Sequence, residues 1–192
     1  MTRKHLLTAL LMTFWTAVLL GIIYPLVVMV GARLLFPDKA QGQLLERNGS
    51  LIGSRIIGQP FVGPGYFHSR PSAAGSVGYD ATSSQGSNLG PTNRKLIERI
   101  SADAKRLQTE NPGRAIPADL VTTSASGLDP DISPASALYQ VPRVARERRV
   151  SEEDVRALVL QHIQQRQFGV LGEPRVNVLE LNVALDDRSR TR

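Results

Sequence analysis

The pattern of apolar and polar positions divides the chain at about residue 33. From Leu6 to Ala32 no residue is charged, and the polar content is three Thr, one Trp and one Tyr. As a helix rising about 1.5 Å per residue, this run reaches roughly 40 Å against a hydrocarbon core of about 30 Å. It is predicted to cross a bilayer once, with residues 6–33 as the span. A cleavable signal peptide is the alternative, since Arg3 and Lys4 precede the run and Val30-Gly31-Ala32 could be a cleavage site. Signal cores are usually about 7–15 residues, so the length favours a retained anchor. Pro25 lies inside the run and removes a backbone donor, which predicts a kink and a helix packed on neighbours.

Beyond the anchor the periodicity changes repeatedly. Gln43 to Arg47 and Ser50 to Ile57 flank Asn48-Gly49, a hairpin pattern with a primed turn. From Gly58 to Gly90 no regular element is predicted. Phe61, Tyr66, Phe67 and Tyr79 fall there, so the segment reads as an ordered loop rather than a disordered one. Leu96, Ile97, Ile100, Ala104 and Leu107 form a helical stripe over 94–110, capped by Thr92 or Asn93. Pro117 to Thr123 reads as a turn. Ser133-Pro134 starts a helical region to Arg149 that Pro142 should split or kink. Ser151 caps a helix over Glu152 to Arg166, with acidic residues in its first turn. Leu179, Leu181, Val183 and Leu185 alternate with Glu180 and Asn182, which predicts a half-buried strand over Val176 to Leu185. The fold class expected is α+β: one N-terminal transmembrane helix followed by a single mixed α/β extramembrane domain. Residues 1–5 form a cytoplasmic tail, 6–33 the span and 34–192 the domain.

Charge and composition narrow the function classes. From Asp38 onward there are 20 Lys and Arg against 17 Asp and Glu, a balance of +3 with the cations scattered. No nucleic-acid partner is expected. Cationic residues on the two sides of the anchor nearly balance, and the pattern only slightly favours the N-terminus inside and the domain outside. Cysteine is absent, which removes disulfides, thiolate metal sites and a cysteine nucleophile. There is no Gly-Lys pair, hence no phosphate-binding P-loop, and no dinucleotide fingerprint. His5, His68 and His162 lie far apart without ligand spacing, and His162 reads as part of a solvated helix face. No metal, catalytic group or cofactor is expected in this chain.

Three polar segments remain. In Tyr66 to Ala73, Arg70 precedes Pro71 and is held extended, either as an internal strut or as a docking group. Gln85 to Asn93 offers amides, hydroxyls and backbone donors that could cradle an anion or satisfy one another, the second being favoured; its candidates are Ser87, Asn88 and Asn93. In Gln140 to Arg146, with Arg148 and Arg149 beyond, Glu147, Glu152, Glu153 and Asp154 are near enough to neutralise the cations, so the default reading is a solvated face. Arg143 is a further docking candidate. Two readings from other classes compete: a membrane-anchored serine hydrolase using Ser124 or Ser126, and an envelope binding module.

Phe67-His68-Ser69-Arg70-Pro71-Ser72-Ala73, Gly86 to Asn93, Asp119 to Pro130, Gln140 to Arg146 and Gly172 to Asn182 carry a family likeness. In order and spacing they resemble the C subunit of the bacterial Kdp potassium-transporting P-type ATPase, over nearly the whole chain apart from the C-terminal tail. Asp131 stands where many relatives have His, which puts in question any role needing an imidazole there. The resemblance implies a non-catalytic subunit of a high-affinity potassium pump in the cytoplasmic (inner) membrane. Its partners would be a channel-like A subunit, an ATP-hydrolysing P-type B subunit and a small F peptide, with ATP and potassium handled by the complex. It implies a catalytic chaperone that raises the ATP affinity of the B subunit, with Gln140 as a nucleotide contact. It also implies an extracytoplasmic domain, and cytoplasmic ATP lies beyond the reach of a domain outside. The role expected from that placement is to cap the outer mouth of the channel-like subunit and stabilise the complex.

Overall fold

The computed structural model describes residues Arg3 to Arg190, which fall into two units: one reaches Ile52 and the other begins at Gly53. The first starts with α1 (Arg3–Val18), a π turn (Leu19–Ile23) and α2 (Tyr24–Leu35) as one continuous rod. The π turn lies just ahead of Pro25. Proline has no N–H for the carbonyl four residues back, and a locally widened turn is one way a helix accommodates that loss. The rod spans 33 residues, is long and apolar enough to cross a membrane, and has no buried residue. The N-terminus of the purified protein is expected to precede Leu6. Sequencing that begins at Arg33 would show instead that the rod is a removed leader. A short α3 (Pro37–Ala40) and a hairpin of β1 (Leu44–Arg47) and β2 (Ser50–Ser54) follow. Asn48 at φ 52° and Gly49 at φ 74° make the hairpin turn, as the Asn-Gly pair predicts.

Among the described residues, the second unit is built on four α-helices and a small sheet. Asn93 caps α4 (Arg94–Glu110) by accepting from the Lys95 N–H. Only Leu107 of its apolar stripe is buried, so the stripe covers less core than its spacing suggests. After a 3-10 turn (Ala118–Leu120), β3 (Asp131–Ile132) leads into α5 (Pro134–Arg148), then α6 (Glu152–Gln161), β4 (Ile163–Gln164), β5 (Arg175–Asn177) and α7 (Val178–Arg190). The sheet order is β3-β5-β4, antiparallel throughout. Val176 sits between Ile132 and Ile163 in register. Ala137, Val141, Val144, Val155, Leu158, Val159, Leu181 and Leu185 close the core over it.

The structure decides one sequence alternative and corrects two expectations. Of the two alternatives for the region after Ser133, split or kinked, the helix is not split: α5 runs unbroken through Pro142 to Arg148, and Arg149 leaves it at φ 56°. The middle of α5 is buried on most sides, from Ser136 to Ala145, and that burial outweighs a cost of about 3 kcal/mol for an interior proline. The helix after Ser151 stops at Gln161 rather than Arg166, because Ile163 and Gln164 pair with β5. The strand expected over 176–185 ends at Asn177, whose side chain accepts from the Glu180 N–H and so starts α7. Buried Val178, Leu181, Asn182 and Leu185 follow helical 3-4 spacing. The alternation of leucines concealed this, since it appears only if Asn182 is counted as an inward residue.

Candidate functional site

The long segment between β2 and α4 is ordered, and its order comes from side chains on α5 and α7. Phe67 is fully buried in the core. On α7, Asn182 accepts from the Phe67 N–H at 2.8 Å and donates to the Phe67 carbonyl at 2.9 Å. On α5, Gln140 does the same one residue along, accepting from the His68 N–H at 2.8 Å and donating to the His68 carbonyl at 3.0 Å. Two side-chain amides thus replace a neighbouring strand for consecutive peptide groups. Arg143 donates to the Pro64 carbonyl, to the Tyr66 carbonyl at 2.9 Å, to Gln140 Oε1 at 2.6 Å and to Glu110 Oε2 at 3.1 Å. Arg148 donates to the Gly65 carbonyl, stacks 4.5 Å over the Tyr66 ring and pairs with Asp186, which also accepts from the Tyr66 hydroxyl. The main chain from Pro64 to His68 is held residue by residue.

This geometry corrects the reading of the arginine run as a solvated face. Arg146 and Arg149 are exposed, but Arg143 is buried and Arg148 half-buried. Their partners include carbonyls of a distant loop, Glu110 and Asp186. Burial, and then the Arg143 charge, hold the His68 imidazole below its usual pKa. Burial also lowers Arg143, an effect that Glu110 opposes.

The second half of the loop locks onto the small-residue run 122–127. Arg70 pairs with Asp129 at 3.1 Å and reaches the Thr123 carbonyl at 3.4 Å. Ser72 Oγ donates to the Gly127 carbonyl at 2.6 Å and accepts from the Tyr79 N–H at 2.8 Å, while the Tyr79 hydroxyl donates to the Arg70 carbonyl. Gly127 sits at φ 69°, and a Cβ there would lie 2.6 Å from the Gln85 carbonyl oxygen and 2.7 Å from the Ala74 nitrogen. Glycine is therefore needed at 127 so that two main chains can touch.

The candidate residues are dispersed by role. Gln140 and Arg143 are interior struts. Arg70 is half-buried and braces the 122–129 turn. Asn93 caps α4. Ser87 lies within reach of Thr123 Oγ1 at 3.4 Å, and Asn88 is exposed at φ 50°. No nucleophile–base pair forms among the described residues: Ser124 is buried, Ser126 Oγ accepts from Leu128 N–H, and His68 and His162 bond the carbonyls of Gly63 and Leu158. Asp131 pairs with Arg175 at 3.0 Å, although burial raises its pKa. No group of three or more His, Cys, Asp or Glu suited to a metal occurs among the described residues. Sequence reasoning missed Asn182, Arg148 and Asp186 as members of the loop clamp. The local trace of this clamp is polar residues set among apolar ones, Gln140 and Arg143 on α5 and Asn182 on α7.

A family model described as KdpC: K+-transporting ATPase, c chain, matches residues 6–187. The potassium-transporting ATPase KdpC subunit of Koribacter versatilis (strain Ellin345) is 60% identical over 184 residues, covering 96% of this chain and 95% of that protein. The subunit of the same name from Rhodopseudomonas palustris (strain BisB18) is 52% identical over 194 residues, covering 95% and 98%. That of Acidobacterium capsulatum is 55% identical over 184 residues, covering 95% and 98%.

Proposed function

As the chain belongs to the KdpC family of potassium-transporting ATPase subunits, an accessory subunit and not the catalytic one, we propose that it builds and stabilises the pump from outside the cytoplasmic membrane. In this reading the rod Arg3–Leu35 anchors it beside a channel-like A subunit, an ATP-hydrolysing B subunit and a small F peptide. Its domain covers the outer mouth of the channel-like subunit. Arg70 supports the docking surface by fixing the 122–129 turn, and Ser87 and Asn88 offer polar contacts there.

The observation that carries this reading is the position of Gln140. It is 2% exposed, and its amide is bonded to both polar groups of the His68 peptide and to Arg143. A nucleotide contact would require that clamp to open. An effect of this chain on the ATP affinity of the B subunit then arises through assembly or through coupling across the membrane.

The absence of native cysteine makes sidedness directly measurable. A single cysteine at exposed Glu153, Glu153→Cys, is expected to react with a membrane-impermeant maleimide in intact spheroplasts. Labelling only after lysis would place the domain inside and overturn the reading.

A further inference from the structure

The connection between β4 and β5 ends in a tip whose chemistry has no use within the chain. Gln167 and Leu171 exchange both main-chain hydrogen bonds at 2.9 Å, Val170 N–H bonds the Gln167 carbonyl, and Gly169 N–H bonds the Arg166 carbonyl. Arg166 and Glu173 close the base as an ion pair. This tight frame presents Phe168, Val170 and Leu171 at 92%, 72% and 57% exposure. Phe168 also sits at φ 53°, a conformation that a bulky residue adopts only at a cost. An isolated domain gains nothing from an exposed, strained phenylalanine where glycine or asparagine would fit more easily.

We infer that the Phe168 tip is a docking knob that inserts into an uncharged apolar pocket on another polypeptide subunit of the complex. This rests on the assembly reading above. An apolar centre within a polar rim is the pattern of an interface hot spot, and a frame already fixed by hydrogen bonds loses little freedom on binding. Charge separates a protein pocket from a lipid surface. Loops that sit on bilayers usually add unpaired cations for anionic headgroups. Here the tip's one cation, Arg166, is neutralised by Glu173, and the flanking Gln164, Gln165 and Gln167 are uncharged.

The test places a photocrosslinking amino acid at Phe168 in the assembled pump in its membrane. An adduct with another subunit is expected. Adducts only with lipid, only with a second copy of this chain, or none at all overturn the inference. A Phe168→Asp variant is expected to melt as the wild type does, because the side chain is almost wholly exposed, while its recovery with the complex falls several-fold. Phe168→Gly relieves the φ strain and should melt no lower, yet show the same loss of recovery. Unchanged recovery of both variants overturns the knob and leaves the assembly reading standing. Failure of the wild-type chain to co-purify with any polytopic partner overturns both.

Discussion

Replacing Arg143 with alanine is expected to lower domain stability by about 3–5 kcal/mol, the usual cost of breaking a buried charge pair by deleting one partner. The guanidinium is 5% exposed and serves four acceptors at once. Its loss leaves the Pro64 and Tyr66 carbonyls, one Gln140 lone pair and the largely buried Glu110 carboxylate without it, Glu110 keeping only Arg106. For a domain of this size the melting temperature should fall on the order of 10 °C. Near-ultraviolet circular dichroism of the detergent-purified chain, reading Tyr66, Tyr79 and Tyr139, measures this. Arg143→Lys keeps the charge but not the planar fork, and should recover only part of the loss. A melt within about 2 °C of wild type for the alanine variant would mean that the loop does not depend on this strut, because typical exposed substitutions have effects of that size.

The second large effect is expected at Gln140. Alanine there removes the acceptor for the His68 N–H, the donor to the His68 carbonyl and a bond from Arg143. A buried donor and a buried acceptor left unpaired cost about 1–3 kcal/mol each, and the missing side-chain volume adds a cavity. A loss on the order of 3–4 kcal/mol follows. Gln140→Glu retains the acceptor half, so it should retain the bonds from the His68 N–H and Arg143 while failing at the His68 carbonyl. The loss should appear as less chain recovered with the complex, since an unlocked loop presents no fixed surface. Gln140→Glu should recover more complex than Gln140→Ala, a ranking that a simple loss of side-chain volume does not produce.

Local chemistry made much of this fold legible. Asn48-Gly49 specified its own turn, Asn93 and Ser151 cap α4 and α6, and the concentration of aromatics in 58–90 marked an ordered loop. The failures share a physical cause. Asn182 looks like a solvent-facing residue of a strand until its partner, Phe67, is known, and the two are 115 positions apart. Arg143 looks solvated beside Glu147 until Pro64, Tyr66 and Glu110 are seen around it. Polar residues that satisfy a distant main chain cannot be assigned from neighbours in sequence, because their burial is decided by tertiary contacts. The Phe168 tip went unread for a different reason. Gln167-Phe168-Gly169-Val170-Leu171-Gly172 is a glycine-punctuated apolar cluster, and only its exposure distinguishes it from ordinary core.

The central claim is that Gln140 braces a loop and contacts no nucleotide. The most direct measurement is the apparent ATP constant for hydrolysis by complexes carrying Gln140→Ala, purified at the wild-type subunit ratio. The clamp account predicts little change in that constant in whatever complex is recovered, with the deficit mainly in yield. A clear rise in that constant in complexes of intact composition, together with crosslinking of a photoreactive ATP analogue to this chain in the wild-type complex, would contradict it and place Gln140 in contact with the nucleotide.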